Sequence, residues 1–365
     1  MAITREEVEK AAKERGIDSV AVVSLRSLQD NVVDSSAKAG GSQSADLRRL
    51  AQSLLPEAAS AIVLAAAYYD ERTADLSRSG DPRGIIGRGL WKDHAAGLRR
   101  KTDSLIAFLE DMGVKAVLAE ELPLRDVAQR AGLGTLGKNS LLQSFDNGSW
   151  VLLTALVTDA ELPSGEKEDC RCGSCQTCLR MCPTKAITSP FKVDGSRCID
   201  RLLSSVEEIP LELRGAIGTR IFSCDICQEV CPRNKFVLPA KAPMEDRFGR
   251  WTRSPSLGPL VMMSEEQYKT DFDWIEWSAP NSYLLRRNAI IALGNSGDQI
   301  GTNVLVKKLH DPDPRLRGYA SWALGQIGDI TAVRNIKAAL QNEQDSFAKE
   351  EMRLALVRLS EKREG

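Results

Sequence analysis

Residues 172–183 read CGSCQTCLRMCP, and this stretch decides how the middle of the chain folds. Its cysteines follow the spacing C-x2-C-x2-C-x3-C, and the last of them is followed by Pro183. A second, looser run begins at Cys198 and ends as CDICQEVCP over residues 224–232, again with a Cys-Pro pair. Thiols at such short, regular spacing can surround one compact metal group, and the proline then turns the chain away from it. The sequence therefore predicts two metal clusters in its middle third.

The first spacing is that of the runs that hold 4Fe–4S clusters in bacterial ferredoxins, where the cysteine before proline ligates the other cluster. With this crossover each cluster receives four thiolates, and Cys170 is left over. The alternative is structural zinc, which Cys-x2-Cys pairs also bind. Because zinc needs neither the third cysteine nor the repeated Cys-Pro, we expect iron–sulfur clusters. The predicted ligands are Cys172, Cys175, Cys178 and Cys231 for cluster one, and Cys182, Cys198, Cys224 and Cys227 for cluster two.

The composition favours a cytoplasmic protein with no membrane segment. All nine cysteines lie between Cys170 and Cys231, whereas disulfide frameworks are typical of small secreted domains. The first residues lack the basic-then-apolar order of a secretory signal, and the apolar residues 61–69 are too few to span a bilayer. Lys and Arg number 49 against 50 Asp and Glu, so any binding to nucleic acid must use a local patch.

The first 162 residues alternate between strand and helix patterns, which indicates an α/β domain. Thr4 is the predicted N-cap of the first helix, and Glu7 completes a capping box. The predicted helices cover residues 4–15, 92–112 and 124–131, and the predicted strands cover residues 18–25, 61–69, 114–119 and 150–158.

The tail contains an internal repeat. Residues 285–298 and 316–329 share the pattern LRxxAxxALGxxGD at a 31-residue period, and residues 352–359 form a weaker third copy. This period indicates stacked helix pairs that resemble HEAT repeats. These helices either form a binding surface or only complete the core. The predicted division of the chain is an α/β domain over 1–162, a double-cluster domain over 163–240, a connector over 241–280 and helical repeats over 281–365.

Residues 131–140, AGLGTLGKNS, match two nucleotide-binding patterns only in part. The glycines satisfy G-x-G-x-x-G, but a dinucleotide loop must follow a strand and this one follows a predicted helix. The same residues approach a P-loop, yet Asn139 replaces the Ser or Thr that would bind magnesium. A turn at the C-terminal end of a helix is the remaining interpretation.

Three features together resemble the epoxyqueuosine reductase family: AGLGTLGKNSLL at 131–142, the two cysteine runs with CPTKAI and CDICQEVCPRNK, and the HEAT-like tail. The resemblance implies an α+β fold with a nitroreductase-like α/β cobalamin domain, a bacterial-ferredoxin-like double-cluster domain and α-helical repeats. It implies two 4Fe–4S clusters, cobalamin and an external electron donor such as a flavodoxin or ferredoxin. The implied reaction removes the epoxide oxygen of epoxyqueuosine in tRNA. The family is related to reductive dehalogenases.

The resemblance also implies a proton donor. The family's aspartate lies some thirteen residues before the AGLG turn, and an ungapped count from Ala131 reaches Leu118, which cannot donate a proton. A two-residue deletion places Glu120 at that position, with Glu121 beside it. General-acid catalysis requires a carboxyl group that stays protonated near neutral pH, which burial beside an apolar cofactor can achieve. Both acids can equally be a solvated strand end.

Other family positions carry over to the cofactor. Four of them fall where backbone and apolar groups line the corrin ring, and three lie in or near the loop of cluster two. Asp200 differs from the residue expected at its position. The seven predicted cofactor-binding residues are Leu142, Gly148, Trp150, Leu153, Asp200, Cys224 and Asp225.

Two histidines and a group of repeat cations are further candidates. His94 is predicted to begin a helix, with substrate or cofactor contact as the alternative, and His310 is predicted at the surface. Clustered cations on one helical face would bind tRNA phosphates, whereas interspersed acids would make them an ordinary charged face. The candidate tRNA contacts are Arg286, Arg287, Lys307, Lys308, Arg315 and Arg317.

Three functions are thus open. The first is reduction of epoxyqueuosine in tRNA. The second is a related reductase with the same cofactors and another small substrate, which the replaced aspartate favours. The third is a two-cluster electron-transfer protein that binds no corrin.

Overall fold

A computed structural model describes residues 3–26, 44–71, 80–91, 93–167, 169–239, 253–272 and 282–364. The strands are β1 Ser19–Ser24, β2 Ser60–Ala67, β3 Ile85–Ile86, β4 Ala116–Leu118, β5 Gly134–Leu136, β6 Leu142–Ser144, β7 Val151–Thr158, β8 Ile187–Ser189, β9 Lys192–Val193 and β10 Arg220–Phe222. The α-helices are α1 Arg5–Glu14, α2 Ser44–Leu54, α3 His94–Asp111, α4 Leu124–Arg130, α5 Thr177–Met181, α6 Ile199–Ser204, α7 Leu211–Ile217, α8 Ile226–Glu229, α9 Leu257–Val261, α10 Glu265–Asp271, α11 Tyr283–Ser296, α12 Thr302–Lys308, α13 Pro314–Ile327, α14 Val333–Asn342 and α15 Ser346–Glu364.

The chain folds into two compact units whose segments alternate along the sequence. Unit one comprises Met1–Glu71, Lys92–Asp194 and Asp225–Glu245, and unit two comprises Arg72–Trp91, Gly195–Cys224 and Asp246–Gly365. The segment predicted as the double-cluster domain therefore contributes residues to both units. The four predicted domain boundaries stay a prediction.

Unit one is built on a four-stranded antiparallel sheet in the order β1-β2-β7-β4. Every residue of β2 is buried, because helices cover both faces of the sheet. Alternate residues along a strand point to opposite faces, so Val63 packs with α2 and α4 while Ile62 and Leu64 pack with α1 and α3. The predicted α/β architecture, the predicted strands and the capping box between Thr4 and Glu7 are confirmed.

One edge of this sheet is open over half the length of a strand. β4 pairs only with residues 156–158 of β7, and the N–H of Ala119 adds one more bond to the carbonyl of Ala155 at 2.8 Å. Beyond Ala119 the chain leaves the sheet. No strand in the described ranges pairs with residues 151–154 on the side away from β2. The edge of β7 therefore opens where β4 ends.

The glycine-rich stretch follows α4 and forms a tight turn into the hairpin β5–β6. Gly132 has φ +79°, the left-handed conformation that glycine adopts after a helix. A Cβ atom on Gly132 would lie 2.4 Å from the backbone oxygen of Glu166, and one on Gly134 would lie 2.3 Å from that of Gln143. The predicted turn at the end of a helix is confirmed, and close backbone packing accounts for the glycines.

Unit two is mainly helical, and α11, α13 and α15 stack in sequence order. Gly297 and Gly328 end α11 and α13 with φ +67° and +81°, and the next residues, Asp298 and Asp329, cap the short helices that follow. The repeated Gly-Asp pair thus ends one helix and begins another. Within the described residues no helix has the length and apolar character to cross a membrane.

Helix α11 holds the loops of the second cysteine run within unit two. The buried guanidinium of Arg287 donates to the backbone oxygens of Leu202 at 2.8 Å and Ser205 at 2.7 Å. The amide of Asn288 donates to the oxygens of Leu203 and Ile221, both at 2.9 Å. Since buried backbone oxygens need donors, these side chains fix the segment that contains Cys198 and Cys224.

Candidate iron–sulfur and cofactor site

Four predicted ligands line one cavity in unit one. Cys172, Cys175, Cys178 and Cys231 border a space of about 510 Å³, although Cys231 lies more than fifty residues after the others. The loop before α5 contributes Cys172 and Cys175, α5 itself contributes Cys178, and the turn after α8 contributes Cys231. The structure thus brings together the ligand set predicted for cluster one.

The thiols of this cavity differ in their protonation. Burial raises the pKa of Cys172 to about 11 and also raises the pKa of Cys178, whereas the hydroxyl of Thr177 lowers the pKa of Cys175. Iron binds the thiolate, so cluster assembly must release protons from these two partly buried thiols. Across the described ranges, no three Cys, His, Asp or Glu side chains form a group for a single metal ion. In a cubane each thiolate binds its own iron atom.

Lys138 joins the glycine-rich hairpin to the cysteine loop. Its ammonium donates to the backbone oxygens of Gly173 at 2.6 Å and Cys175 at 2.9 Å. The neighbouring Asn139 donates to the oxygen of Cys227 at 3.5 Å. Lys138 made the stretch resemble a P-loop and Asn139 departed from that pattern, and nothing in the sequence indicated that these two residues hold the cysteine loops. Lys138 therefore holds the loop that carries Cys172 and Cys175.

The four ligands predicted for cluster two are divided between the units. Cys182 and Cys227 belong to unit one, and Cys198 and Cys224 belong to unit two. Burial raises the pKa of Cys182, but hydrogen bonds from the Thr184 hydroxyl and from backbone N–H groups outweigh it and lower the pKa overall. Such bonds stabilise a thiolate that binds a cluster. The assignment of these four ligands to one cluster stays a prediction.

A buried polar network supports the second cysteine run in unit one. The side chain of Gln228 is hydrogen-bonded to the hydroxyls of Tyr68 and Ser149, and Asn234 donates to Ser149 at 2.8 Å. The oxygen of Asn234 also accepts the N–H of Ser149 at 3.0 Å. Gln228 and Asn234 flank the Cys-Pro pair, so the network ties this turn to the start of β7. Sequence reasoning missed these residues, because their partners are distant in sequence.

The predicted cofactor residues lie in different environments. Leu142 and Trp150 are buried, and Leu153 is half-buried on the open part of β7. Gly148 has φ +54°, and a Cβ there would lie 2.1 Å from the oxygen of Asn234. Asp225 is buried in unit one and accepts a bond from Gln228 at 3.3 Å.

In unit two, Asp200 is exposed and accepts a bond from Ser223 at 2.9 Å. Cys224, the last residue of its segment of unit two, is half-buried. The roles of all seven in cofactor binding stay predictions.

The two candidate acids follow β4, at the point where the edge of β7 opens. Glu120 and Glu121 are both exposed, and Glu120 lies 3.4 Å from the guanidinium of Arg99. His94 begins α3, as predicted, and its ring lies 5.9 Å from that of Tyr68. His310 is exposed, as predicted.

Most of the candidate tRNA-binding cations form ion pairs or hydrogen bonds within unit two. Arg287 and Lys308 are buried, and Lys308 pairs with Asp311 at 2.9 Å. Arg286 is 3.4 Å from the same carboxylate. Arg317 binds both oxygens of Glu343, which lowers the pKa of that carboxyl to about 2. Of the six predicted cations, Lys307 is exposed, whereas Arg315 is half-exposed and pairs with Asp313 at 2.6 Å.

Comparison with known proteins agrees with this architecture. A family model of a 4Fe-4S double cluster binding domain matches residues 171–234, and one of HEAT repeats matches residues 274–357. An epoxyqueuosine reductase of Bacillus subtilis (strain 168) is 34% identical over 366 residues, which cover 95% of this chain and 94% of that protein. The chain belongs to the epoxyqueuosine reductase family.

Two solved structures of epoxyqueuosine reductases share the fold. One contains an epoxyqueuosine-modified tRNA-Tyr stem loop; its TM-score is 0.84 at 31% identity, over 98% of both chains. The other, from Bacillus subtilis, has its catalytic aspartate loop swung out of the active site; its TM-score is 0.84 at 31% identity, over 97% of this chain and 98% of that one. The predicted iron–sulfur clusters, helical repeats and α+β fold are confirmed.

Proposed function

We propose that this protein is an oxidoreductase that reduces epoxyqueuosine to queuosine in tRNA, in the cytoplasm. The observation that carries the proposal is a four-cysteine cavity in a chain that matches an epoxyqueuosine reductase over 95% of its length. Conversion of an epoxide to an alkene, with loss of its oxygen as water, consumes two electrons and two protons. Iron–sulfur clusters supply single electrons, so two of them suit this chemistry.

We include cobalamin in this proposal, and the open edge of β7 fits it. The even-numbered residues of β7 bond to β2, as the bond from Tyr68 to the oxygen of Trp150 shows, so the polar groups of Val151 and Leu153 point to the open side. A corrin ring carries amide side chains that pair with such backbone groups. The bound cofactor would supply a strongly nucleophilic low-valent cobalt.

The residues of the chain would bind the cofactors and donate the proton. Cluster one, where electrons enter the protein, would be held by Cys172, Cys175, Cys178 and Cys231. Backbone groups of β7 would hold and orient the corrin ring. Glu120, or its neighbour Glu121, would donate a proton to the epoxide oxygen, because both follow the strand whose end opens this edge. In one relative's structure the catalytic loop is swung out of the active site, and a swing in the opposite direction would bring this exposed turn to the substrate.

A second candidate is a related reductase with the same cofactors and a different small substrate. The observation that favours it is the glutamate at position 120, where the family resemblance leads us to expect an aspartate. The extra methylene moves the carboxyl group by more than an ångström, which is enough to change the geometry of proton transfer.

The deciding experiment is deoxygenation of epoxyqueuosine-containing tRNA by anaerobically reconstituted protein, with cobalamin added and omitted. Cobalamin-dependent formation of queuosine is the expected result. Protein that contains both clusters and the corrin but forms no queuosine would point to another substrate. Protein that binds no corrin would instead be an electron carrier.

A further inference from the structure

We propose that the surface around the cluster-one cavity docks a small acidic electron-carrier protein. This rests on the proposed function, which requires electrons from outside the chain. The docking surface consists of Phe145, Arg171, Arg233 and Phe236, all of which line the cavity that holds the four thiols. A carrier bound there would bring its redox centre close to cluster one, and electron transfer slows steeply with distance.

The cysteine segments that line this cavity carry mostly positive charge. Residues 169–194 contain four cations and two acids, Asp169 and Asp194, at the two ends, and residues 229–239 contain two cations and Glu229, although acids and bases balance over the whole chain. All six cations are exposed on unit one. A mostly positive patch attracts a partner of opposite charge and speeds its encounter. The six cations are Arg171, Arg180, Lys185, Lys192, Arg233 and Lys235.

Exposed apolar side chains belong to the same two segments of the chain. Phe236 is 89% exposed, Leu238 76% and Met181 52%, which is unusual for side chains of this size. The guanidinium of Arg171 lies 4.2 Å from the ring centre of Phe145, which fixes both side chains at the rim. Interfaces between proteins are enriched in aromatic residues, Met and Arg. The rim of the cavity therefore combines exposed apolar side chains with positively charged ones.

The alternative occupant is tRNA, whose phosphates and bases also bind cations and aromatic rings. The position of the surface favours the carrier. The rim side chains belong to the turn after β6 and to the cysteine loops, whereas the candidate acids, which would have to reach the substrate, follow β4. Experiment can distinguish the carrier from tRNA, because only the carrier has to reduce the clusters.

The test measures cluster reduction without tRNA or cobalamin, so it succeeds or fails independently of the proposed function. Anaerobic stopped-flow absorbance follows the bleaching of the clusters by a reduced flavodoxin, and in parallel by photoreduced deazariboflavin, a small uncharged reductant. We expect the double variant Arg171→Glu, Arg233→Glu to be reduced about tenfold more slowly by flavodoxin at low salt. The difference should shrink as salt screens the charges, and the rate with deazariboflavin should not change.

The matched control is Arg49→Glu, Arg100→Glu, which makes the same change of charge on exposed residues of α2 and α3. It should be reduced at the rate of the unchanged protein. A second variant, Phe236→Ala, removes only an exposed ring and should slow reduction by flavodoxin several-fold without loss of iron. An unchanged rate with flavodoxin in both rim variants would refute the proposal. Loss of tRNA binding at normal flavodoxin rates would assign the rim to tRNA instead.

Discussion

At the scale of single residues, the proton donor is the assignment with the most direct consequence for activity. Glu120→Gln keeps the shape of the side chain and removes its proton, so we expect kcat for queuosine formation to fall about 100-fold or more. Binding of tRNA and the iron content should be unchanged, because Glu120 is exposed and bonds only to Arg99 among the contacts described. Single-turnover assays separate the chemical step from binding.

Glu121→Gln is the matched control, since it makes the same chemical change one residue away. It should retain activity within a few-fold. If Glu121→Gln is instead the inactive variant, the donor is Glu121. Full activity in both variants would show that neither carboxyl group delivers the proton.

The pairing of the cysteines is a second prediction at this scale. Cys231→Ala and Cys175→Ala should each remove about half of the iron, and the double variant should remove no more, because both residues ligate cluster one. Cys231→Ala combined with Cys227→Ala should remove nearly all of it. Iron analysis with electron paramagnetic resonance of the reduced protein measures this. Cys170→Ala is the control and should keep its iron, and additive loss in the Cys231, Cys175 pair would contradict the assignment.

At the scale of elements, the hairpin β5–β6 stabilises the loop that holds cluster one through Lys138. Lys138→Met keeps most of the side-chain length but removes a charged donor to two backbone oxygens, a loss of about 2 kcal/mol per bond. We expect a chelator to remove iron at least tenfold faster from this variant. Lys101→Met is the control, since Lys101 also donates to a loop oxygen, that of Gly16. Equal rates of iron loss in the two variants would refute the role of Lys138.

The sequence predicted elements wherever local chemistry decides them. The capping box at Thr4, the alternating buried strands and the repeated Gly-Asp pairs at the ends of α11 and α13 are all local patterns. The glycine-rich stretch was only partly predictable. Its turn follows from the end of α4, but the need for Gly132 comes from the backbone of Glu166, which tertiary packing brings there. Contacts between distant segments leave no periodic signal.

At the scale of the whole molecule, contacts between distant segments also decide which charged side chains are exposed, and the sequence does not show these contacts. Six repeat cations were predicted as candidates for tRNA, and sequence spacing could not show which would be exposed. Arg317 illustrates the reason, because its partner Glu343 lies 26 residues further along the chain. A net charge of −1 does not show which cations are paired within the fold. Candidates for binding are therefore cations that the structure leaves exposed, on the repeats and around cluster one.

We therefore propose that Lys307 and Arg315 make the phosphate contacts of the repeats. Lys307 is exposed. The half-exposed Arg315 guanidinium lies 3.8 Å from the ring centre of Tyr283 and pairs with Asp313 at 2.6 Å, so a phosphate would displace that carboxylate. Each lost phosphate contact reduces the dependence of log K on log salt by about 0.7 to 0.9. Lys307→Ala, Arg315→Ala should thus lower this slope by about 1.5 and weaken tRNA binding most at low salt.

Fluorescence anisotropy with a labelled anticodon stem loop, across a range of salt concentrations, gives the slope directly. The control is Arg334→Ala, Lys337→Ala, which removes two exposed cations of α14 and should change the slope less. An equal change in both double variants would mean that the repeats attract tRNA through their overall charge. An unchanged slope in the first variant would show that the repeats serve the core of unit two, and that tRNA binds elsewhere on the molecule.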